Sequence, residues 1–221
     1  MFTAVEGREL RGPDPQRAAE KYRRHARGYD ATAARTMAIR RRAVGLLALR
    51  AGETVLDVAC GTGLSLSPLV EAVGPSGRVV GVEVSAEMLR QAQARVERSG
   101  WRNVTLIEAP AEEARLCPAG APCFDAILFH YTHDVLQSPA ALRNILRAAR
   151  PGARVALAGI KYPSLWMLPA WLYRLAKARP YVTTYRGLRR PWQPLAPHLA
   201  ALRVEPVLWG TNYLAHGRLH G

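Results

Sequence analysis

The sequence has few cysteines, almost no lysine and no long uninterrupted apolar segment. Its three cysteines, at positions 60, 117 and 123, are too few for a disulfide framework, and no Cys/His spacing fits a zinc site, so we expect no metal. Cys117 and Cys123 flank a short loop, where we expect two free thiols, with a local disulfide as the alternative. The apolar run at 165–172 is too short and too interrupted by proline to span a bilayer. Residues 1–15 contain no apolar stretch, so no cleavable signal peptide is predicted.

Basic residues outnumber acidic ones, and their distribution is uneven. The formal net charge is +14, and only 3 of the 31 basic residues are lysine. Residues 1–50 hold 12 Lys/Arg against 5 Asp/Glu, residues 51–150 hold 9 against 11, and residues 151–221 hold 10 against 1. The abundance of arginine and alanine indicates a GC-rich coding bias, which accounts for part of this charge. Because such a bias does not explain the acidic middle, the basic ends favour an anionic substrate, an anionic membrane surface or nucleic acid.

The stretch 55–64 (VLDVACGTGL) is an apolar run that ends in an acid and is followed by a tight Gly-x-Gly turn. This pattern is typical of a parallel sheet that presents a nucleoside at the carboxyl end of its first strand. We expect Gly61 to permit the turn and Gly63 to let a ligand approach the backbone. The chain lacks the lysine of a triphosphate-binding loop and the third glycine of a dinucleotide-binding loop. The turn therefore favours a ligand with a ribose and a charged amino-acid tail, such as S-adenosylmethionine (SAM).

Further strand patterns follow in the order that such a sheet requires, at 78–83, 103–107, 124–129 and 155–159. Glu83 ends the second strand, where a carboxylate can accept hydrogen bonds from both ribose hydroxyls. Ser85 is predicted to cap the helix that follows. Together these motifs resemble the class I SAM-dependent methyltransferases, in the branch of the ubiquinone- and menaquinone-biosynthesis and phospholipid N-methyltransferases. The resemblance covers about residues 20–160 well and the rest in outline.

The resemblance implies a Rossmann-like α/β fold. Its sheet would have seven mostly parallel strands in the order 3-2-1-4-5-7-6, with the last strand antiparallel and helices on both faces. We expect the final two strands at 203–209 and 212–216, joined by a tight connection.

The same resemblance implies two regions in the chain. Residues 1–50, with helices predicted at 16–27 and 32–49, would form a helical cap over the cofactor. Residues 51–221 would form the SAM-binding methyltransferase domain. Within it, the segment 161–193 interleaves aromatic with basic residues and would be a lid, either packed on an apolar pocket or also in contact with a membrane.

The predicted cofactor contacts begin with Asp57 for the methionine end of SAM and Glu83 for the ribose. Pro110 stands where relatives often carry an acid, so adenine recognition is assigned to the backbone N–H of Ala111. Glu112 is predicted either to accept from the exocyclic amine or to be a solvated charge at a helix start. The resemblance implies further contacts at Ala59, Gly61, Thr62, Gly63, Val84, Met88, His130 and Tyr29.

The end of the fourth strand is predicted to face both the transferred methyl group and the acceptor. His130, Tyr131 and His133 lie there and are candidate catalytic residues, because a histidine can remove a proton from a hydroxyl or ammonium group near neutral pH. The alternative for His133 is the start of a short helix. Candidate substrate contacts are Tyr22, His25, Lys161 and Trp166.

These features predict a SAM-dependent methyltransferase that acts on a lipid-like or small amphipathic acceptor, either a phospholipid amine or a quinone-type phenol. The alternative is a soluble small-molecule methyltransferase of secondary metabolism; RNA methylation and non-catalytic SAM binding are further options. We expect a cytoplasmic monomer or homodimer, with peripheral contact to an anionic inner membrane face as an option. No nucleic-acid partner is expected, because no RNA-binding module is recognisable.

Overall fold

The computed structural model describes residues 20, 36–117, 120–162, 184 and 186–221. Its strands are β1 Thr54–Val58, β2 Arg78–Glu83, β3 Val104–Glu108, β4 Phe124–His130, β5 Ala149–Ile160, β6 Leu199–Val207 and β7 Asn212–Leu219. They form one sheet in the order β3-β2-β1-β4-β5-β7-β6. The first five strands are parallel, while β7 runs antiparallel to both β5 and β6. The predicted fold class is confirmed.

Helices cover both faces of the sheet. They are α1 Met37–Leu46, α2 Leu66–Val73, α3 Ala86–Ser99, α4 His133–Leu136 and α5 Pro139–Ala148, with a short 3-10 helix at Ala196–His198. One apolar cluster joins α1, α2 and α3 to the sheet, and a second joins α5 and β7 to the opposite face. The burial of β1 and β4 on both faces explains why their sequences are almost continuously apolar.

Some predicted boundaries are confirmed and others are wrong. β2 spans 78–83 as predicted, and the Ser85 hydroxyl accepts a hydrogen bond from the Met88 N–H at the start of α3. β6 begins and ends earlier than predicted, at Leu199–Val207, since its extent is set by pairing with β7 rather than by its own composition. The connection between them is the four-residue segment 208–211.

The pairing of the two cysteines that flank the loop before β4 differs from the prediction. Cys117 and Cys123 form a disulfide, with their Cα atoms 5.9 Å apart, so the expectation of two free thiols is wrong here. This Cα separation lies in the range that a disulfide requires. Cys60 is a free, buried thiol within the glycine turn.

Within the described ranges, no helix combines the length and the apolar character that are needed to cross a bilayer.

Candidate functional site

The predicted site lies at the carboxyl ends of β1, β2 and β4. β1 pairs with β2 on one side and with β4 on the other, so the order in which strands are added along the sheet reverses at β1. Such a switch point leaves a crevice beyond the strand ends, which is where open α/β sheets bind ligands.

The glycine turn after β1 depends on left-handed backbone conformations. Ala59, Gly61 and Gly63 have φ values of 49°, 59° and 78°. A Cβ added to Gly61 would meet nothing within 4 Å, so the backbone is open to a ligand at this residue. A Cβ added to Gly63 would lie 2.7 Å from the Cδ1 atom of Leu66 and 3.1 Å from the Cβ atom of Ala92. The small size of Gly63 therefore serves the packing of α2 and α3 on the turn, and the approach of a ligand to its backbone stays a prediction.

Glu83 closes this turn from the end of β2. Its buried carboxylate accepts hydrogen bonds from the backbone N–H groups of Gly61 at 3.0 Å, Val84 at 3.0 Å and Ser85 at 2.9 Å. Burial raises the pKa of Glu83, and the three N–H donors oppose that rise. A carboxylate offers about four lone-pair sites, so Glu83 retains acceptor capacity for a ligand hydroxyl.

Asp57 is a buried carboxylate at the end of β1, with 1% of its surface exposed. Its Oδ2 atom has no hydrogen-bond partner. Burial raises the pKa of Asp57 to about 7; the charge of Glu83 raises it further, while Arg40 and the Ser65 hydroxyl lower it. An unsatisfied buried acceptor of this kind is uncommon in folded proteins, and it fits a cationic ligand group.

Arg40 is a site residue that the sequence reasoning missed. It extends from α1, is only 5% exposed, and its Nη1 atom donates a hydrogen bond to the Ser65 hydroxyl. The spacing of Arg40, Val44 and Leu47 follows the period of one helix face, and all three are buried. That spacing was the available signal, because it places Arg40 on the buried face of α1.

The predicted adenine side is an ordered turn after β3. The Ala111 carbonyl accepts a hydrogen bond from the Asn144 side chain of α5 at 2.8 Å, and Ala111 is buried. The Ala109 N–H donates to the Glu83 carbonyl at 3.1 Å, which ties this turn to the end of β2. Glu112 is half-buried beside Ala111. Their adenine contacts stay predictions.

Three other predicted cofactor residues border the same crevice. Thr62 is buried, and its carbonyl accepts a hydrogen bond from the Nε atom of Arg95 at 3.1 Å. Met88 is buried in the first turn of α3, and Val84 is half-buried between Glu83 and the Ser85 cap. Their contacts with the cofactor stay predictions.

His130 ends β4 with a buried side chain, 5% exposed, and neither of its ring nitrogens has a hydrogen-bond partner. Burial lowers the pKa of His130 well below its ordinary value of 6.5, and the nearby charge of Arg40 lowers it further. Burial therefore holds the imidazole in its neutral form.

Tyr131 follows with a φ of 60°, which is uncommon for a residue with a large side chain. Its hydroxyl accepts a hydrogen bond from the Asn212 side chain at 2.5 Å, and its ring lies 4.8 Å from that of His130. The start of β7 therefore fixes the orientation of Tyr131. Asn212 was not predicted as a site residue, because 81 residues separate it from Tyr131.

His133 begins α4, as the alternative prediction for it stated. Its Nε2 atom donates a hydrogen bond to the Arg186 carbonyl at 2.9 Å, which leaves Nδ1 as an acceptor without a partner. The Asp134 carboxylate accepts from the Thr184 N–H at 3.3 Å. α4 thus binds the chain that returns to the sheet, and a catalytic role for His133 stays a prediction.

Of the predicted substrate contacts, only Lys161 lies among the described residues. The Lys161 N–H donates to the Thr211 carbonyl at 3.0 Å, so Lys161 lies beside the start of β7, half-buried. Tyr22, His25, Tyr29 and Trp166 lie outside the described residues.

Comparison with known proteins supports the assignment that this geometry suggests. Residues 55–152 match the family described as "Methyltransferase domain". The chain is 31% identical to the 2-phytyl-1,4-naphtoquinone methyltransferase of Thermosynechococcus vestitus over 175 residues, which cover 75% of this chain and 72% of that protein. The chain belongs to the class I SAM-dependent methyltransferases.

One further relative and one solved structure are similar to this chain. A demethylmenaquinone methyltransferase of Lactococcus lactis is 33% identical over 118 residues, which cover 52% of this chain but only 44% of that protein. A SAM-dependent methyltransferase from Aquifex aeolicus has a solved structure with a TM-score of 0.64 and 23% identity, covering 93% of this chain and 98% of that one. At this identity the likeness shows the fold alone.

The described side chains of this methyltransferase fit its family's cofactor, SAM. The Oδ2 atom of Asp57 is a buried acceptor without a partner, which suits an ammonium group. Glu83 retains acceptor capacity for ribose hydroxyls, and the backbone of Gly61 is open. Burial and the charge of Glu83 raise the pKa of Asp57, so a ligand that carries positive charge would stabilise these two buried carboxylates in their ionised form.

Proposed function

We propose that this methyltransferase transfers a methyl group from SAM to a small amphipathic acceptor of the quinone type. The observation that carries the proposal is its similarity to the T. vestitus enzyme, which is named for a naphthoquinone and aligns with this chain over 72% of its length. The L. lactis protein is likewise named for a quinone precursor. Ring acceptors of this kind lose a proton when they are methylated, so the site needs a group that can take it.

SAM supplies an electrophilic methyl group on a sulfonium, and the protein's main task is to position the reactants. Asp57 would accept hydrogen bonds from the ammonium group through Oδ2, and Glu83 from the ribose hydroxyls. Gly61 would let the cofactor lie against the backbone. The turn at Ala111, held by Asn144, would border the adenine.

His130 would take the proton of the acceptor. Burial keeps its imidazole neutral, and both of its ring nitrogens lack protein partners. Tyr131, oriented by Asn212, would contact the acceptor from the adjoining position. An amine acceptor such as a phospholipid headgroup would place little demand on such a base, because the neutral amine is itself nucleophilic.

The two ends of the chain would complete the site. Residues 1–50 would cap the cofactor, which is supported by the position of Arg40 beside Asp57 and Ser65. Residues 161–193 would cover the acceptor, which is supported by the hydrogen bonds from α4 to Arg186 and Thr184.

The test is to supply methyl-labelled SAM with a reduced short-chain naphthoquinone, with phosphatidylethanolamine vesicles, or with a bacterial extract. We expect label in the organic phase with the naphthoquinone, and a fall in kcat of about a hundredfold in His130→Ala. His198→Ala, an exposed histidine on the 3-10 helix, is the matched control and should keep full activity.

Each contrary outcome has a distinct meaning. Label that enters only phosphatidylethanolamine, with His130→Ala still active, would indicate an N-methyltransferase and refute the quinone acceptor. Label confined to aqueous products of the extract would indicate a soluble methyltransferase of secondary metabolism.

A further inference from the structure

The connection between β6 and β7 presents two apolar side chains to solvent. Trp209 is 82% exposed and Leu208 is 40% exposed, and with Val204 they are the exposed large hydrophobic residues among those described. We call the segment 208–211 the apolar tip. A tryptophan that packs against nothing contributes little to folding, so its exposure calls for another explanation.

The backbone of the apolar tip holds these side chains in a fixed, uncommon conformation. Leu208 and Trp209 have φ values of 49° and 60°, in a region that non-glycine residues seldom adopt. The turn is closed by hydrogen bonds to the Leu208 carbonyl from the Thr211 hydroxyl at 2.7 Å and the Thr211 N–H at 3.2 Å. Positive φ at both residues, with the Gly210 N–H donating to the Val207 carbonyl at 3.1 Å, is the geometry of the tight turns that join antiparallel strands, and it places both side chains at the end of the hairpin.

The apolar tip lies at the same edge of the sheet as the methyltransferase site. Asn212, the residue after it, pairs with Ile160 at the carboxyl end of β5 and donates to the hydroxyl of Tyr131. The Lys161 N–H donates to the Thr211 carbonyl. A partner that binds Trp209 would therefore also face the acceptor side of the methyltransferase site.

Exposed arginines flank the same point. Arg186, Arg189 and Arg190 are exposed, and the segment that carries them, 186–190, is joined to the end of β5 by a hydrogen bond from the Tyr162 N–H to the Leu188 carbonyl at 2.9 Å. We call this segment the basic strap. Glu205 is the one acidic residue in 186–221, and it forms an ion pair with Arg42 at 2.9 Å. The five arginines in 186–221 therefore leave this part of the chain with a net positive charge.

We propose that the apolar tip and the basic strap bind the headgroup layer of an anionic lipid bilayer and present the methyltransferase site to it. This inference rests on the proposed function, since it supplies a route to an acceptor that resides in the membrane. Tryptophan beside arginine is the combination that interfacial surfaces use: the ring enters the headgroup region and the cations attract anionic lipid.

A second copy of the chain fits this surface less well. Two copies would each bring a net charge of +14, and like charges repel. Two exposed side chains also provide far less apolar area than the roughly 800 Å² per partner that a stable interface buries.

The test is co-sedimentation of the full chain with vesicles of phosphatidylcholine alone or mixed with phosphatidylglycerol. We expect binding only to the anionic vesicles, weakened by salt. Trp209→Ser should bind roughly tenfold more weakly, because it lacks the indole ring that would be buried in the headgroup layer. Arg189→Gln with Arg190→Gln should also bind more weakly and show a smaller salt dependence. The matched control, Arg102→Gln with Arg115→Gln, removes two exposed arginines that lie outside both segments and should bind as the wild type does.

Several outcomes would overturn the proposal. It is wrong if the wild type does not bind anionic vesicles, or if Trp209→Ser binds them as tightly as the wild type does. Self-association in sedimentation velocity that is lost in Trp209→Ser would instead assign the apolar tip to a dimer. Because these residues are exposed, the variants should keep the wild-type unfolding temperature, which checks their folding.

A parallel assay separates this proposal from the proposed function. Methyl transfer to a water-soluble, reduced short-chain naphthoquinone, without vesicles, should be the same in Trp209→Ser and the wild type. If the wild type transfers no methyl group in that assay, the proposed function fails, while the vesicle result still decides the lipid contact.

Discussion

Replacing Asp57 with asparagine should make the ligand-free protein more stable at neutral pH. Asparagine has nearly the same shape but no charge, so the substitution removes an ionisable group from a position with 1% exposure. Burial is the main reason that the pKa of Asp57 rises from 3.8 to about 7. The native site therefore holds a carboxylate that the fold alone disfavours.

The magnitude follows from the difference between the pKa values in the folded and unfolded states. The pKa of Asp57 in the folded state, about 7, exceeds its ordinary value of 3.8 by roughly three. This difference corresponds to about 4 kcal/mol in the free energy of unfolding once the group is ionised in both states. The folded state holds the proton more tightly than the unfolded chain, so stability is lost as the pH rises from about 4 through 7. Roughly 2–3 kcal/mol of this loss should fall between pH 5 and pH 8.

Urea unfolding of the wild type and Asp57→Asn across that range measures the effect. The pKa of His130 is lowered by burial, so His130 stabilises the fold above its ordinary pKa of 6.5 and this stability is lost as the pH falls. This opposite trend is common to both proteins, and the difference between their free energies of unfolding isolates Asp57. That difference should grow in favour of Asp57→Asn by roughly 2–3 kcal/mol from pH 5 to pH 8.

Added SAM provides the second half of the test. An ammonium group beside Asp57 would favour the ionised carboxylate, so saturating SAM should stabilise the wild type much more than Asp57→Asn near pH 7. A free-energy difference that does not change with pH would refute the argument from burial. Equal stabilisation of both proteins by SAM would refute the assignment of Asp57 to the ammonium group.

Three further substitutions probe the same site. Gly63→Ala should lower the free energy of unfolding by about 2 kcal/mol or more, because its Cβ would lie 2.7 Å from the Cδ1 atom of Leu66. Gly61→Ala should lower it by about 1 kcal/mol and mainly weaken SAM binding. Urea unfolding and calorimetric titration separate the two effects, and equal losses of stability would contradict the argument. Arg40→Met should weaken SAM binding about tenfold at pH 7, because the pKa of Asp57 rises when the arginine charge is removed and less of the carboxylate is ionised. The loss should be smaller at pH 8.5, where more of Asp57 is ionised. A loss of affinity that does not depend on pH would contradict this role of Arg40. Tyr131→Phe should lower kcat while leaving the affinity for SAM unchanged, since it removes only the hydroxyl that accepts from Asn212; unchanged turnover would remove Tyr131 from the acceptor side.

The sequence predicts the parts of the fold in which local pattern and tertiary role coincide. β2 was located to the residue, since an apolar run between Gly77 and an acid has few other structures available to it. The Ser85 cap was predicted for the same reason. β6 was placed four residues too late at its start, because residues such as Ala200 and Leu202 carry little strand signal and only pairing with β7 makes them a strand.

The site was predictable where a residue's role is set by its place after a strand, and not where it is set by a partner from elsewhere. Asp57 and Glu83 follow from the strand–turn pattern. Arg40 belongs to α1 and contacts a residue 25 positions away, and Asn212 reaches Tyr131 across 81 positions. Side-chain pairs of this kind leave no local pattern, apart from the helical spacing that places Arg40 on the buried face.

The residues that carry the proposed chemistry share a property that ordinary core residues lack. The buried Oδ2 atom of Asp57 and both ring nitrogens of His130 have no hydrogen-bond partner, and the backbone of Tyr131 has an uncommon φ. Each feature lowers the stability of the ligand-free fold, and none is needed to close the sheet. Because all three lie at the carboxyl ends of the two adjacent strands β1 and β4, the instability is concentrated where a cationic cofactor and its acceptor could relieve it. This concentration supports assigning the chemistry to this edge of the sheet, and Asp57→Asn tests it directly.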